Sequence, residues 1–213
     1  KEKGEKYSPE EVDKINDLKN QSRTINSLLN GLKGFTPEMY IPIEEFAQEK
    51  SAQTFANVAL HGYKKYGDKA PVINVENMFP GMAFYTGEEM SNLIKESRKQ
   101  FVKEAIDSGI TKSQARKKAD ELIGITFDVG HLNIGKKKGF KDEDLRKEAE
   151  QIARHVKHVH LTDNFGYSDS HLPPGMGNVP IKKHLEELEK AGRLKDIRKI
   201  VEAPAWFQHF ESS

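Results

Sequence analysis

The chain has 213 residues, with 34 basic and 33 acidic side chains and no cysteine. That length can bury one sizeable core, and the balanced charge supplies no overall field to draw in nucleic acid or an acidic membrane. Without thiols, disulfides, thiolate metal sites and cysteine nucleophiles are excluded. No stretch is apolar enough to span a bilayer and no signal peptide is visible, so a cytoplasmic location without a membrane partner is expected.

Ser8-Pro9-Glu10-Glu11 combines an N-cap, a proline in the first turn and a capping-box glutamate, and Val12, Ile15, Leu18, Ile25, Leu28 and Leu29 follow at helical spacing until Gly31 and Gly34. Residues 35–44, with Pro37 and Pro42, read as an irregular connection. A second helix is predicted over 45–66, burying Phe46, Phe55, Val58 and Ala59. Pro71 then opens a strand, VINVE, followed by a loop over 77–85. Thr86 and Glu89 cap a helix whose buried stripe is Met90, Leu93, Ile94, Phe101, Val102 and Ile106, and Thr111 and Gln114 start a shorter one. The strand IGITFD leads through a glycine-rich loop over 130–139 into a helix over 141–155. The strand VKHVHL follows, then a long loop, a helix over 181–191 ended by Gly192, and the strand KIVEA. Strands alternating with helices predict an α/β fold with a parallel sheet or barrel. The organisation expected is a helical segment over 1–70 ahead of a sheet-bearing part over 71–213, forming one domain.

Each of the four strands ends on an ionisable residue: Glu76, Asp128, His160 and Glu202. In parallel α/β folds the C-terminal strand ends face the site, so these side chains are expected to meet around one divalent cation. Nitrogen and oxygen donors suit Zn²⁺, Mn²⁺, Fe²⁺ or Co²⁺ better than Ca²⁺. His131 lies three residues after Asp128, across Gly130. His158 and His160 share a strand face, and His160, nearer the C-terminal end, is the expected ligand. Asp169 and His171 alternate in the long loop, where they read equally as ligands or as ordinary loop residues. Asp163 and Asn164 are placed to orient His160. Lys136-Lys137-Lys138 reads either as a solvated charge run or as a contact for a substrate phosphate. Trp206 and Phe207 read as pocket wall or as core. His61, His155, His184 and His209 have no strand-end placement and read as structural. There is no P-loop, dinucleotide glycine fingerprint or serine-nucleophile elbow.

In order, VENMF, FDVGHLN, HVHLTDN, SDSHLPPGMGNVPI and IVEAPAW resemble the xylose isomerase-like TIM-barrel superfamily, over about residues 71–210. The superfamily includes sugar-phosphate isomerases and epimerases and the endonuclease IV family of apurinic-site nucleases. The resemblance implies a (β/α)8 barrel of which this chain supplies the C-terminal half, strands five to eight, with the preceding helices. The front half would come from upstream residues or another chain. In the epimerase-like branch, residues matching Glu76, Asp128, His160 and Glu202 hold one divalent metal and the two glutamates shuttle a proton. His131, Lys137 and Trp206 would then contact a small sugar or sugar phosphate. In the endonuclease branch, residues matching all seven positions, His131, Asp169 and His171 included, help hold a zinc cluster that cuts DNA at abasic sites. A third reading is a non-catalytic fragment or subunit that retains the ligands only structurally.

Overall fold

The computed structural model describes residues 8–32 and 43–204. Its centre is a four-stranded parallel sheet in the order β1 (Ile73–Glu76), β2 (Ile123–Asp128), β3 (Val156–Leu161), β4 (Arg198–Val201). Neighbouring strands are consecutive in the chain, so each connection crosses over through helix. α1 (Pro9–Leu32) and α2 (Ile43–Tyr66) precede the sheet. α3 (Gly87–Asp107) and α4 (Lys112–Leu122) link β1 to β2, α5 (Val129–Asn133) and α6 (Asp142–Ile152) link β2 to β3, and α7 (Ile181–Lys190) leads to β4. The chain forms two compact units, Lys1–Pro42 and Ile43–Ser213. No helix among the described residues is long and apolar enough to cross a membrane.

The helix starts follow their local chemistry. Ser8 Oγ accepts from the Glu11 amide while Glu11 Oε2 accepts from the Ser8 amide. Thr86 and Glu89 close the same reciprocal box on α3, and Thr111 Oγ1 accepts from the Gln114 amide on α4. Two apolar stripes depart from expectation. In α2, Ala59 is buried as expected, but Phe46 and Val58 are about half exposed, and Ala52, Ala56 and Leu60 complete the buried face instead. Small side chains let α2 lie close along α3, a contact that larger residues would hold apart. In α3, Met90, Leu93, Ile94 and Phe101 are fully buried as expected, whereas Ile106 in the last turn is exposed. Of the apolar residues of α1 named above, Val12, Leu18, Ile25, Leu28 and Leu29 are exposed and Ile15 is partly buried, and Gly31 lies inside that helix. The connection over 35–44 falls outside the described residues as far as position 42.

The two faces of the sheet differ in chemistry. Ile123, Ile125 and Phe127 alternate toward the helices and have no exposed surface, with Phe127 edge-on to His184 of α7 at 5.6 Å between ring centroids. Burying each such side chain contributes about 2 kcal/mol. Thr126 and Asp128 point the opposite way, together with His158 and His160 of β3. Where β2 meets β3 the register shifts between Ile125 and Thr126, because β3 carries one extra residue, Lys157. Its stem lies where a side chain at position 124 would sit, so only Gly124 leaves it room.

His184 carries a pH signature. It is wholly buried, and neither ring nitrogen has a hydrogen-bond partner. Burial is the main cause that pushes its imidazole down to about 4, whereas a histidine in an unfolded chain titrates near 6.5. Between these values the unfolded chain binds a proton that the folded chain refuses. The contribution to stability is therefore complete above about pH 6.5 and is lost as pH falls toward 4. Denaturant titrations across this window are expected to lose on the order of 3 kcal/mol through this residue. His184→Leu should flatten that part of the slope whatever its absolute stability.

Candidate metal centre

Four strand ends deliver four donors to one place. Glu76 closes β1, Asp128 closes β2, His160 lies one residue before the end of β3, and Glu202 follows β4, where its amide still donates to the Leu161 carbonyl at 3.2 Å. One ligand atom from each lies within 4.8 Å of the others. His160 Nδ1 is 3.1 Å from Glu76 Oε1, 2.7 Å from Glu202 Oε2 and 3.7 Å from Asp128 Oδ2. The expected convergence of Glu76, Asp128, His160 and Glu202 is thus present in the geometry.

Asp128 is the most constrained of the four. Its side chain has no exposed surface, and its Oδ1 accepts from the Gly130 amide at 2.7 Å, the His131 amide at 3.0 Å and Thr162 Oγ1 at 3.0 Å. Those two amides begin α5, so the stretch expected to be a glycine-rich loop is instead α5 followed by a 3-10 turn over Ile134–Lys138. Asn77 grips the same residue from the other side: its Oδ1 accepts from the Asp128 amide at 2.8 Å, and its Nδ2 donates to the Asp128 carbonyl at 3.0 Å.

The remaining oxygen, Asp128 Oδ2, is buried and lacks a hydrogen-bond partner, as do His160 Nδ1 and Glu202 Oε2. His160 and Glu202 approach to ion-pair distance without the alignment a hydrogen bond requires. Buried lone pairs of this kind, pointing together, match what a cation satisfies, and the donor set is all nitrogen and oxygen. The residues present therefore fit a divalent transition metal. Burial raises the Glu76 carboxyl above its ordinary value; His160 and His131 pull it back, while Asp128 and Glu202 push it further up.

A second group adjoins these four. His131 Nδ1 faces the Asn77 carbonyl at 2.8 Å, and its Nε2 faces Asp169 Oδ2 at 3.1 Å. His171 Nε2 reaches the same Asp169 oxygen at 3.0 Å. Burial by itself would lower the His131 pKa, but Asp169, Asp128 and the Asn77 carbonyl outweigh it and raise it to about 9. Asp169 is held below the usual carboxylate range, since the two histidines overcome the effect of its burial. His131 Nε2 is 4.0 Å from Asp128 Oδ2, and His171 Nδ1 is 3.9 Å from Glu202 Oε1. His171 adopts a φ of +45°, a left-handed conformation costing about 1–2 kcal/mol for a residue with a side chain.

Other expectations resolve differently. Asp163 does not orient His160: its carboxylate accepts from the amides of Asn164, Gly175 and Val179, and its own peptide pairs with that of Leu172, so it pins the long loop. Asn164 joins Asn133 and Asn178 and donates to the Gly130 carbonyl. His158 packs edge-on against His160, centroids 5.0 Å apart, and is partly buried. Lys136 is paired with Asp142, while Lys137 is exposed and lines a cavity beside Asp169. Trp206, Phe207 and His209 lie outside the described residues. Sequence reasoning passed over Asn77 and Thr162, although each is a polar residue directly beyond a strand and its ionisable residue, which is the available signal.

Among known proteins, a family model described as a xylose isomerase-like TIM barrel matches residues 64–209. An uncharacterised protein of Methanocaldococcus jannaschii is 29% identical over 159 residues, covering 75% of this chain and 45% of its own length. The chain thus spans less than half the length of that curated relative. A crystal structure described as a D-tagatose 3-epimerase-like protein aligns with a TM-score of 0.39 at 20% identity, covering 84% of this chain and 75% of the other.

Gly130 tests how far the Asp128 clamp governs the centre. A Cβ there would overlap the Thr162 hydroxyl and stand 3.0 Å from Asn164 Nδ2. Gly130→Ala is expected to cost about 1–3 kcal/mol in denaturant unfolding. It should also weaken Mn²⁺ binding, measured by equilibrium titration, by about 10-fold to 100-fold, because it displaces the donors behind a ligand.

Proposed function

The chain belongs to the xylose isomerase-like TIM barrel family, and from that premise we propose that it carries the catalytic centre of a metal-dependent isomerase or epimerase acting on a small sugar or sugar phosphate. The observation that carries this reading is the meeting of Glu76, Asp128, His160 and Glu202 donor atoms within 4.8 Å, with Asp128 Oδ2, His160 Nδ1 and Glu202 Oε2 lacking hydrogen-bond partners. These four residues would hold the cation, Zn²⁺, Mn²⁺, Co²⁺ or Fe²⁺. When bound, such an ion supplies Lewis-acid polarisation of a carbonyl and its neighbouring hydroxyl.

The rest of the chemistry falls to side chains. Glu76 and Glu202 come from the two outer strands of the sheet and leave the centre between them. One removes a proton from the carbon beside the carbonyl and the other returns one, by general acid–base catalysis. A carboxyl raised by burial, as Glu76 is, accepts a proton more readily near neutral pH than an exposed one. His131 faces acceptors at both ring nitrogens, so it would contribute positive charge beside the substrate and would donate to a substrate oxygen only by exchanging Asp169 for it. β1 and β4 each present an edge with no partner strand among the described residues. In this proposal the strands that complete the eight of the family fold come from upstream residues or from another chain.

One observation favours a second reading. The His131–Asp169–His171 row lies beside Asp128 and Glu202 at 3.9–4.0 Å, an arrangement that supports the multi-zinc phosphodiesterase of the endonuclease IV type. Metal content separates the two: one exchangeable ion fits the isomerase, and two or three tightly held zinc ions fit the nuclease.

The test is a panel of ketoses incubated with and without added Mn²⁺ or Co²⁺. Turnover should require the ion and be accompanied by exchange of a substrate carbon-bound proton with solvent, read by NMR in deuterated water. Glu202→Gln should lower both by about 100-fold or more. Metal binding with neither turnover nor exchange, alongside cleavage of an abasic duplex, would replace this reading with the nuclease.

A further inference from the structure

Beside the metal centre lies a cavity of about 380 Å³ whose walls have a different chemistry. Phe79 and Pro80 after β1 and Tyr167 in the loop after β3 form its apolar sides, while Lys137, Lys138 and Ser168 contribute polar groups. The three consecutive lysines divide their work. Lys136 Nζ donates to the Asn178 carbonyl at 2.7 Å and lies 3.1 Å from Asp142 Oδ1, which ties its turn to the neighbouring loop. Lys137 and Lys138 are exposed, line the cavity and make no ion pair or hydrogen bond among the described residues.

Asp169 is the carboxylate on this wall, and it is already shared between His131 and His171. Two lysines of the lining are therefore left without a charge partner among the described residues. A neutral polyol gains little from such a pair, whereas a phosphate monoester, with close to two negative charges and three acceptor oxygens, gains charge-assisted hydrogen bonds from each. The cavity adjoins the centre through its own wall: Asp169 lies 3.1 Å from His131 Nε2, which is 4.0 Å from Asp128 Oδ2. A molecule of a few carbons can span that interval.

We propose that this cavity holds the phosphate of a sugar phosphate, bound by Lys137, Lys138 and the Ser168 hydroxyl, so that the sugar carbons reach the four-residue centre. This rests on the reading above that Glu76, Asp128, His160 and Glu202 form the reactive centre. It narrows that reading from sugars in general to phosphorylated ones.

The experiment compares D-fructose 6-phosphate, D-fructose and inorganic phosphate by calorimetry on the metal-free protein, and repeats the phosphorylated arm with Mn²⁺ while following ³¹P line width. The phosphate ester should bind about tenfold or more tightly than the free sugar. Lys137→Ala/Lys138→Ala should abolish that difference, and bound Mn²⁺ should broaden the ³¹P line. Both lysines are exposed, so circular dichroism of the double variant should match the parent. Equal binding of ester and sugar, unchanged in the double variant, overturns the proposal; Mn²⁺ binding sensitive to Glu202→Gln would then leave the metal centre standing. Lysine-dependent ester binding without any Mn²⁺ binding supports the phosphate site while removing the metal centre. Tighter binding of an abasic DNA duplex than of the ester also overturns it, in favour of a phosphodiester ligand.

Discussion

A carboxylate with no access to water organises this protein. Burying a charge is costly unless each lone pair is met, and Asp128 meets that demand only by half. One oxygen is saturated by two amides and a hydroxyl, and the other is bare. The saturated half turns the chain from β2 into α5. The bare half faces His160 and Glu76, in a region where three carboxylates crowd together. Mutual repulsion among such groups is relieved by positive charge, which His131 supplies in part and a bound cation would supply fully. The same residue thus couples the local fold to the geometry of the four-residue cluster.

Much of this was legible before any coordinates. Strand-end placement singled out Glu76, Asp128, His160 and Glu202, because a parallel sheet sends every strand's C-terminus to one rim. Capping chemistry located the starts of α1, α3 and α4, since those hydrogen bonds join residues only three apart. What escaped depended on distant partners. Glycines at 130 and 135 suggested a loop, yet the Asp128 carboxylate caps a helix there, and a side chain at 130 would collide with Thr162, 32 positions away in the chain. Asp163 looked like a partner for His160, but its geometry serves three amides across the long loop. In α2, hydrophobicity favoured Phe46 and Val58 for burial, while close approach to α3 selected alanines.

Around the centre, rigidity and openness are distributed unevenly. Asn77, Thr162, Asn133 and Asn164 are buried, the first two bonded to Asp128 and the last two to each other, so the candidate ligands are backed by side chains that cannot turn without breaking hydrogen bonds. On the outer side, Lys137, Lys138, Tyr167 and Ser168 are exposed. The buried cluster and the exposed rim thus occupy different layers of the same strand ends, and within one barrel architecture such layers can vary separately.

The Asp163 carboxylate gathers three amides, at positions 164, 175 and 179, and so ties both ends of its loop to a single anchor. A segment closed at its base behaves as a self-contained appendage. Mutational drift across its projecting positions, Phe165, Tyr167 and Ser168, can remodel the mouth while the knot below keeps Thr162 against Asp128. Divergence at the exposed rim is thereby uncoupled from loss of the buried cluster, one projecting position at a time.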